Sequence, residues 1–167
     1  PMPTKTGYTF VGWYTKASNG EKIESTTIVK TASQQTLYAH WSANSYTVTF
    51  DANGGSVDPT SKSVTYASPY GELPIPTYEG YDFVGWYTAT SGGIQVTDKT
   101  GVSIVENQTL YAIWSARTDT IYKVVHWQQN IGGDKNKHDA DNYTIIDTQL
   151  LSGTTNEKVA PSVNEYE

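Results

Sequence analysis

The chain has 167 residues, 37% of them hydrophobic and 17% charged, with 13 tyrosines, 5 tryptophans, no cysteine and a formal net charge of −6. That charge argues against nucleic acid or an anionic membrane surface as a partner, and the missing cysteines exclude disulfide staples, thiol catalysis and thiolate-bound metal. An aromatic content of 13% is too high for a disordered chain, and no apolar run approaches the roughly 18 residues of a membrane-crossing helix.

In chain order, the first signal is GYTFVGWYT at 7–15, followed by QTLYAHWSA at 35–43. Both return 73 residues later, as GYDFVGWYT at 80–88 and QTLYAIWSA at 108–116. The spacing within each pair is the same, with Trp13 to Trp41 matching Trp86 to Trp114, so the intervening segments align without a gap. Two motifs kept at one spacing define a duplicated unit. The aromatic strand of each copy carries apolar side chains on alternate and adjacent positions, so period 2 sends them to both faces. Either both faces are covered, or one is left as an exposed aromatic stripe. The shared spacing makes this strand the expected central strand of the repeated fold rather than a doubled binding site.

Between the copies, Tyr46, Val48 and Phe50 alternate with Thr47, Thr49 and Asp51, the pattern of a half-buried strand. Asn53-Gly54-Gly55 ends it in a hairpin-like turn. A second strand is expected at Ser63–Tyr66. Three prolines between Pro69 and Pro76 leave a loop with at most one helical turn around Tyr70–Leu73. Tyr81–Thr88 and Thr109–Trp114 are the third and fourth strands. Residues 91–107 are polar and glycine-containing around Val102, Ile104 and Val105. The fold class expected is β-rich α+β, with tandem small modules, mixed sheets and little helix.

The C-terminal stretch TIYKVVHWQQNIGG (120–133) begins like SYTVTFDANGG (45–55), then passes a polar insertion, DKNKHDADN, into YTIIDTQLLSGTTNEKVAPSVNEYE. The frame divides the chain into 1–43, the rear half of a first unit; 44–116, a whole unit; and 117–167, the front half of a divergent one. The chain is thus read as a segment of a longer protein.

The motifs GYxFxGWYT, TLYAxW, YTVTFDANGG and YGxLPxP, in that family's order over residues 4–116, resemble the Listeria–Bacteroides repeat, also met as the B-repeat of internalins. VVHWQQN and LLSGTTNEKVAPSVNEYE make 120–167 resemble mucin-binding-protein-like (MucBP) repeats. The resemblance implies a small β-grasp-like module, a curved mixed sheet over a short helix or helical turn. It also implies a large, repetitive, secreted or wall-attached bacterial surface protein, and it brings no catalytic residues.

Large side chains must fill the core of a small unit without disulfides. A core role is therefore expected for Tyr8, Phe10, Trp13 and Trp41, for Tyr81, Phe83, Trp86 and Trp114, and for Trp127. Tyr14 and Tyr87, at the outer end of the aromatic strand, are the candidate binding surface for a glycan or a host protein. Gly12 and Gly85 are expected to admit a close neighbour. The run from Asp51 to Asp58 lacks the closing bidentate glutamate and the spacing of a calcium loop. His40, His126 and His138 lack mutual ligand spacing, Asp134, Asp139 and Asp141 sit in a polar loop, and no nucleophile elbow or phosphate loop occurs. No cofactor, no metal and no enzymatic activity are expected. Asn107-Gln-Thr109 and Asn142-Tyr-Thr144 match a glycosylation sequon by coincidence. Half units would leave open strand edges, so the two ends are expected to complement each other by self-association.

Overall fold

The computed structural model describes residues 2–130, 132 and 143–158. His138, Asp134, Asp139, Asp141, the Asn142 sequon, most of the polar insertion and the last residues of the chain lie outside the described residues. The strands are β1 (Tyr8–Tyr14), β2 (Lys22–Ile23), β3 (Tyr38–Ala43), β4 (Ser45–Asp51), β5 (Ser61–Thr65), β6 (Tyr81–Tyr87), β7 (Gln95–Val96), β8 (Gln108–Ala116), β9 (Thr120–Gln129) and β10 (Tyr143–Gly153). They form sheets of order β2-β1-β3, β5-β4-β8-β6-β7 and β10-β9. The chain condenses into two compact units, one of Pro1–Thr77 with Val84–Ile113 and one of Tyr78–Phe83 with Trp114–Glu167.

The five-stranded sheet is mixed. β4 runs parallel to β8, pairing Val48 with Gln108 and Phe50 with Leu110, and antiparallel to β5, pairing Tyr46 with Val64. The turn after β4 forms as its residues dictate. Asn53 and Gly54 take φ of 47° and 100°, the Asp51 carboxylate accepts the Asn53 N–H at 2.8 Å, and the Gly55 N–H reaches the Ala52 carbonyl at 3.1 Å. Asp51 is thus a turn former.

Two expectations are corrected here. No helical turn forms at Tyr70–Leu73, and the described residues contain no helix. Gly71 takes φ of 69°, outside the right-handed helical region, and the Tyr70 and Gly71 N–H groups donate to the carbonyls of Thr100 and Asp98, at 2.9 Å each, which holds the segment extended. The aromatic strand is also not central to the complete repeat. β8 holds the middle of the sheet and β6 lies beside it; β8 buries Leu110 and Ala112 completely.

The core of the first compact unit gathers Val48, Phe50, Val64, Tyr70, Trp86, Val96, Val102, Leu110 and Ala112. The Trp86 indole packs on Phe50 at 4.9 Å and donates its Nε1–H to the Pro74 carbonyl at 2.8 Å, which satisfies the one polar atom of a buried ring. Burial holds the Tyr70 phenol above its ordinary pKa, and its hydroxyl donates to Gln108 Oε1 at 2.8 Å.

One residue separates β3 from β4, and that residue is a joint. The Asn44 N–H donates to the Gly7 carbonyl, and the Asn44 carbonyl accepts the Tyr66 N–H, both at 2.9 Å. Thr9 Oγ1 donates to Asn44 Oδ1 at 2.6 Å. Tyr66 packs edge-on to Tyr8 at 5.4 Å. In the second compact unit Gly80 and Arg117, 73 positions on from Gly7 and Asn44, make the like bonds across a three-residue connection: the Arg117 N–H donates to the Gly80 carbonyl and the Arg117 carbonyl accepts the Thr155 N–H, again at 2.9 Å. The ring of Tyr81 is held by a hydrogen bond from the Asn156 amide.

Arg117 also forms a bidentate pair with Asp119, Nε and Nη2 lying 2.9 and 2.8 Å from the two carboxylate oxygens. The guanidinium hydrogen bond holds the Asp119 carboxyl below its ordinary pKa. A carboxylate depressed in this way stabilises the fold above its unfolded-state pKa and loses that contribution as pH falls through the depressed value. Both groups are exposed, so the contribution is small and salt-sensitive. In an NMR titration, Asp119 should protonate below the ordinary carboxylate range and return to that range in Arg117→Ala.

Candidate functional site

The aromatic strand of the first repeat gathers its large aromatic residues, Tyr14 apart, on one face. β1 carries a β-bulge between Phe10 and Gly12, so that Phe10 faces Trp41, Gly12 faces His40 and Trp13 faces Ala39. The extra residue, Val11, shifts the alternation by one. Tyr8, Phe10 and Trp13 therefore share one face with Ala39, Trp41 and Ala43, and Val11 is left outside at 42% exposure. The rings meet edge-to-face, Phe10 at 5.5 Å from both Trp13 and Trp41. Gly12 supplies the backbone for the irregularity at φ 154°, and Gly85 repeats it at 157°. The close neighbours expected at these glycines are Lys22 and Gln95, whose side-chain ends lie 2.7 and 2.6 Å from where a Cβ would sit.

Above each aromatic face sits a third group from the same relative position. In the first repeat Lys5 Nζ lies 4.0 Å from the Tyr8 ring centroid and 5.9 Å from that of Trp41, a cation–π contact. In the second, Tyr78 stacks on Tyr81 at 4.4 Å and meets Trp114 edge-on at 5.6 Å. Phe83 packs on Trp114 at 5.5 Å. These residues serve one another.

Of the residues expected in the core, Trp86 is buried at 2% exposure. Tyr8, Phe10, Trp13, Trp41, Tyr81, Phe83 and Trp114 are half-buried. Trp127 is 52% exposed, against the expectation: it lies in β9, which among the described residues pairs with β10 alone. Tyr14 and Tyr87 are half-buried, not fully exposed. Tyr14 lies on the face opposite Trp13 and stacks flat on His40, with centroids 3.8 Å apart and planes 10° apart. His40 Nε2 is within 2.9 Å of the Lys16 carbonyl. One face of the Tyr14 ring is thus already occupied. Beside it, Lys22 pairs with Glu24 at 2.9 Å, which raises the lysine pKa. Tyr87 pairs across the strand with Gln95. Asn107 of the sequon accepts the Thr47 N–H at 2.9 Å, so its side chain ties a loop to β4.

Among the described residues, no three His, Asp or Glu side chains converge to hold a metal ion, and no helix is long and apolar enough to cross a membrane. Sequence reasoning missed the bulge and the joint. The signals that could have found them were the repeated Gly12 and Gly85 for the bulge, and the repeated Gly7 and Gly80, 37 residues before Asn44 and Arg117, for the joint.

A mixed β-sheet module, repeated at a constant 73 residues with its aromatic residues turned to packing, defines a tandem β-repeat protein. The chain belongs to the Listeria-Bacteroides repeat domain family, whose model matches residues 1–40 and 46–113. Internalin H of Listeria monocytogenes serovar 1/2a is 46% identical over 110 residues, covering 66% of this chain and 20% of that protein. A putative membrane protein of Evansella cellulosilytica is 38% identical over 115 residues, 68% of this chain and 17% of the relative. A putative Gly-rich membrane protein of the same organism is 32% identical over 147 residues, 86% of this chain and 16% of the relative. The chain spans a fifth or less of the length of these relatives. No solved structure matches it.

Proposed function

We propose that this chain is a non-enzymatic spacer, a stalk segment of a bacterial cell-surface or secreted protein that contributes to adhesion by holding other domains away from the wall. The observation that carries the reading is the joint. A short connection between strands, one residue at Asn44 and three from Arg117 to Asp119, clamped by the same pair of backbone hydrogen bonds at Asn44 and at Arg117, converts a linker into a load-transmitting connection. Neighbour-to-neighbour docking of this kind is how repeat proteins gain stiffness. Membership of the repeat family and similarity to part of an internalin support a surface address, and residues 120–167 supply a MucBP-like unit in series.

The competing reading makes the aromatic strand a glycan- or host-protein-binding surface. Its strongest residue, Tyr14, has one ring face taken by His40, which leaves less ring for a sugar to stack on. On a glycan array and on immobilised matrix proteins the chain should give no saturable binding, and Tyr87→Ala should behave identically. Saturable binding abolished by Tyr87→Ala, with folding intact, would assign the chain to the binding class.

A further inference from the structure

In the complete repeat the first and last strands are neighbours that run the same way. β4 opens the unit at Ser45 and β8 closes it at Ala116. They lie side by side in the five-stranded sheet and pair in parallel, from Val48 beside Gln108 to Asp51 beside Tyr111. Whatever precedes Asn44 and follows Arg117, tension along the backbone reaches this unit at the start of β4 and leaves it at the end of β8. The two strands are then drawn in opposite directions along their own length. Such a pull loads all the bonds of the ladder together, because they run across the direction of force. A hairpin pulled from its open end gives way one bond at a time.

Two asparagine side chains carry the ladder past both of its backbone ends. Asn107, just before β8, accepts the Thr47 N–H on its Oδ1 at 2.9 Å. Asn53, in the turn after β4, donates its Nδ2–H to the Ala112 carbonyl at 3.1 Å. An amide side chain can play either part, since it holds both an acceptor and donors. Successive N–H groups of a strand point to opposite sides. That of Phe50 goes to the Thr60 carbonyl at 2.8 Å, so Thr47 and Thr49 present theirs toward β8. Val48 and Leu110, one on each strand, are fully buried on the core side, which keeps water from that side of the ladder and strengthens its bonds.

We infer that the complete repeat is a shear clamp, with β4 and β8 as its force-bearing pair and Asn107 and Asn53 as the residues that extend it. Such a clamp is of use only in a chain under tension, so it rests on the stalk reading and gives that reading its mechanism.

The chain contains no cysteine, so introduced pairs give unique handles for single-molecule pulling on the full chain. Ser45→Cys with Ser115→Cys loads β4 against β8 in shear. Ser45→Cys with Thr65→Cys, two positions that face each other at one end of the β4–β5 pair, loads the unit as a zipper. All three side chains are exposed. At one loading rate the unit should break at a several-fold higher force along the shear axis. Each break should release up to roughly 3.5 Å of chain per residue between the handles, which identifies the event. Forced unfolding follows the barrier rather than equilibrium stability. Asn107→Ala, at an exposed side chain, should therefore lower the shear force and leave the zipper force unchanged, which also shows that the variant folds. Asn107→Asp keeps the accepting oxygen and should restore the shear force. Equal forces along the two axes, or a lower one in shear, would overturn the clamp. A loss in Asn107→Ala of the same size on both axes would remove that residue from it. Neither result bears on the binding assays that test the stalk reading, so failure of one is not failure of the other.

Discussion

Trp86→Ala is expected to lower the unfolding free energy of the complete repeat by about 3–5 kcal/mol, the range for removing a large buried aromatic. The ring is 2% exposed, packs on Phe50 and pairs across the sheet with Val96, so its neighbours cannot all collapse into the space. Truncation also leaves the Pro74 carbonyl without its indole donor, which adds a desolvation cost. A small domain is stable by only roughly 5–15 kcal/mol, so the variant should be partly unfolded at ambient temperature. Trp13→Ala removes the same residue from a half-buried site and should cost roughly 1–2 kcal/mol. Urea unfolding at low protein concentration, followed by near-ultraviolet circular dichroism, checks both. Equal losses at the two positions would mean that the front hairpin does not bury Trp86 in the way described.

The second large effect is at the joint. Gly7→Ala should cost about 2–4 kcal/mol, combining an L side chain in the left-handed region with overpacking. Gly7 sits at φ 75°, and a Cβ there would fall 2.4 Å from the Tyr66 ring carbons. Those are atoms close to the backbone of a ring already packed on Tyr8, not the free end of a flexible chain. Gly80→Ala meets Thr155 Oγ1 at 2.7 Å at φ 79°; the smaller side chain gives way more easily, so its loss should be less. Gly92→Ala is the control: its φ is 67° with nothing within 4 Å, leaving only the backbone cost of about 1 kcal/mol. The order Gly7, Gly80, Gly92 in thermal denaturation is the expected result.

The repeat frame was legible because the 73-residue offset needs no structure to see, and the Tyr46–Phe50 alternation with Asn53-Gly54 led directly to β4 and its turn. Three features were hidden for physical reasons. The bulge at Val11 changes which face a side chain takes without changing any residue type, so period 2 overstated the two-sided exposure of the aromatic strand. The Tyr70–Leu73 segment is decided by carbonyls 27 to 30 residues away, those of Asp98 and Thr100, which local propensity cannot anticipate. Leu37 and Leu110 are the same residue in the same motif, yet one is buried and the other is not; burial depends on whether a hairpin lies across the face. The candidate binding residues are the clearest case. Tyr14 and Tyr87 read alike in the sequence, but only Tyr14 has a histidine to stack on, because Ile113 stands in the second repeat where His40 stands in the first.

The central claim is that backbone hydrogen bonds at Asn44 and Arg117 clamp the short connections that follow β3 and β8. Amide hydrogen exchange of the full chain at Asn44, Tyr66, Arg117 and Thr155 tests it most directly. All four N–H groups are donors in the joints, so they should exchange slowly in the wild type, with Asn44 and Tyr66 losing protection in Gly7→Ala while Arg117 and Thr155 keep it. Exchange at all four in the wild type as fast as at an unbonded surface amide would contradict the claim.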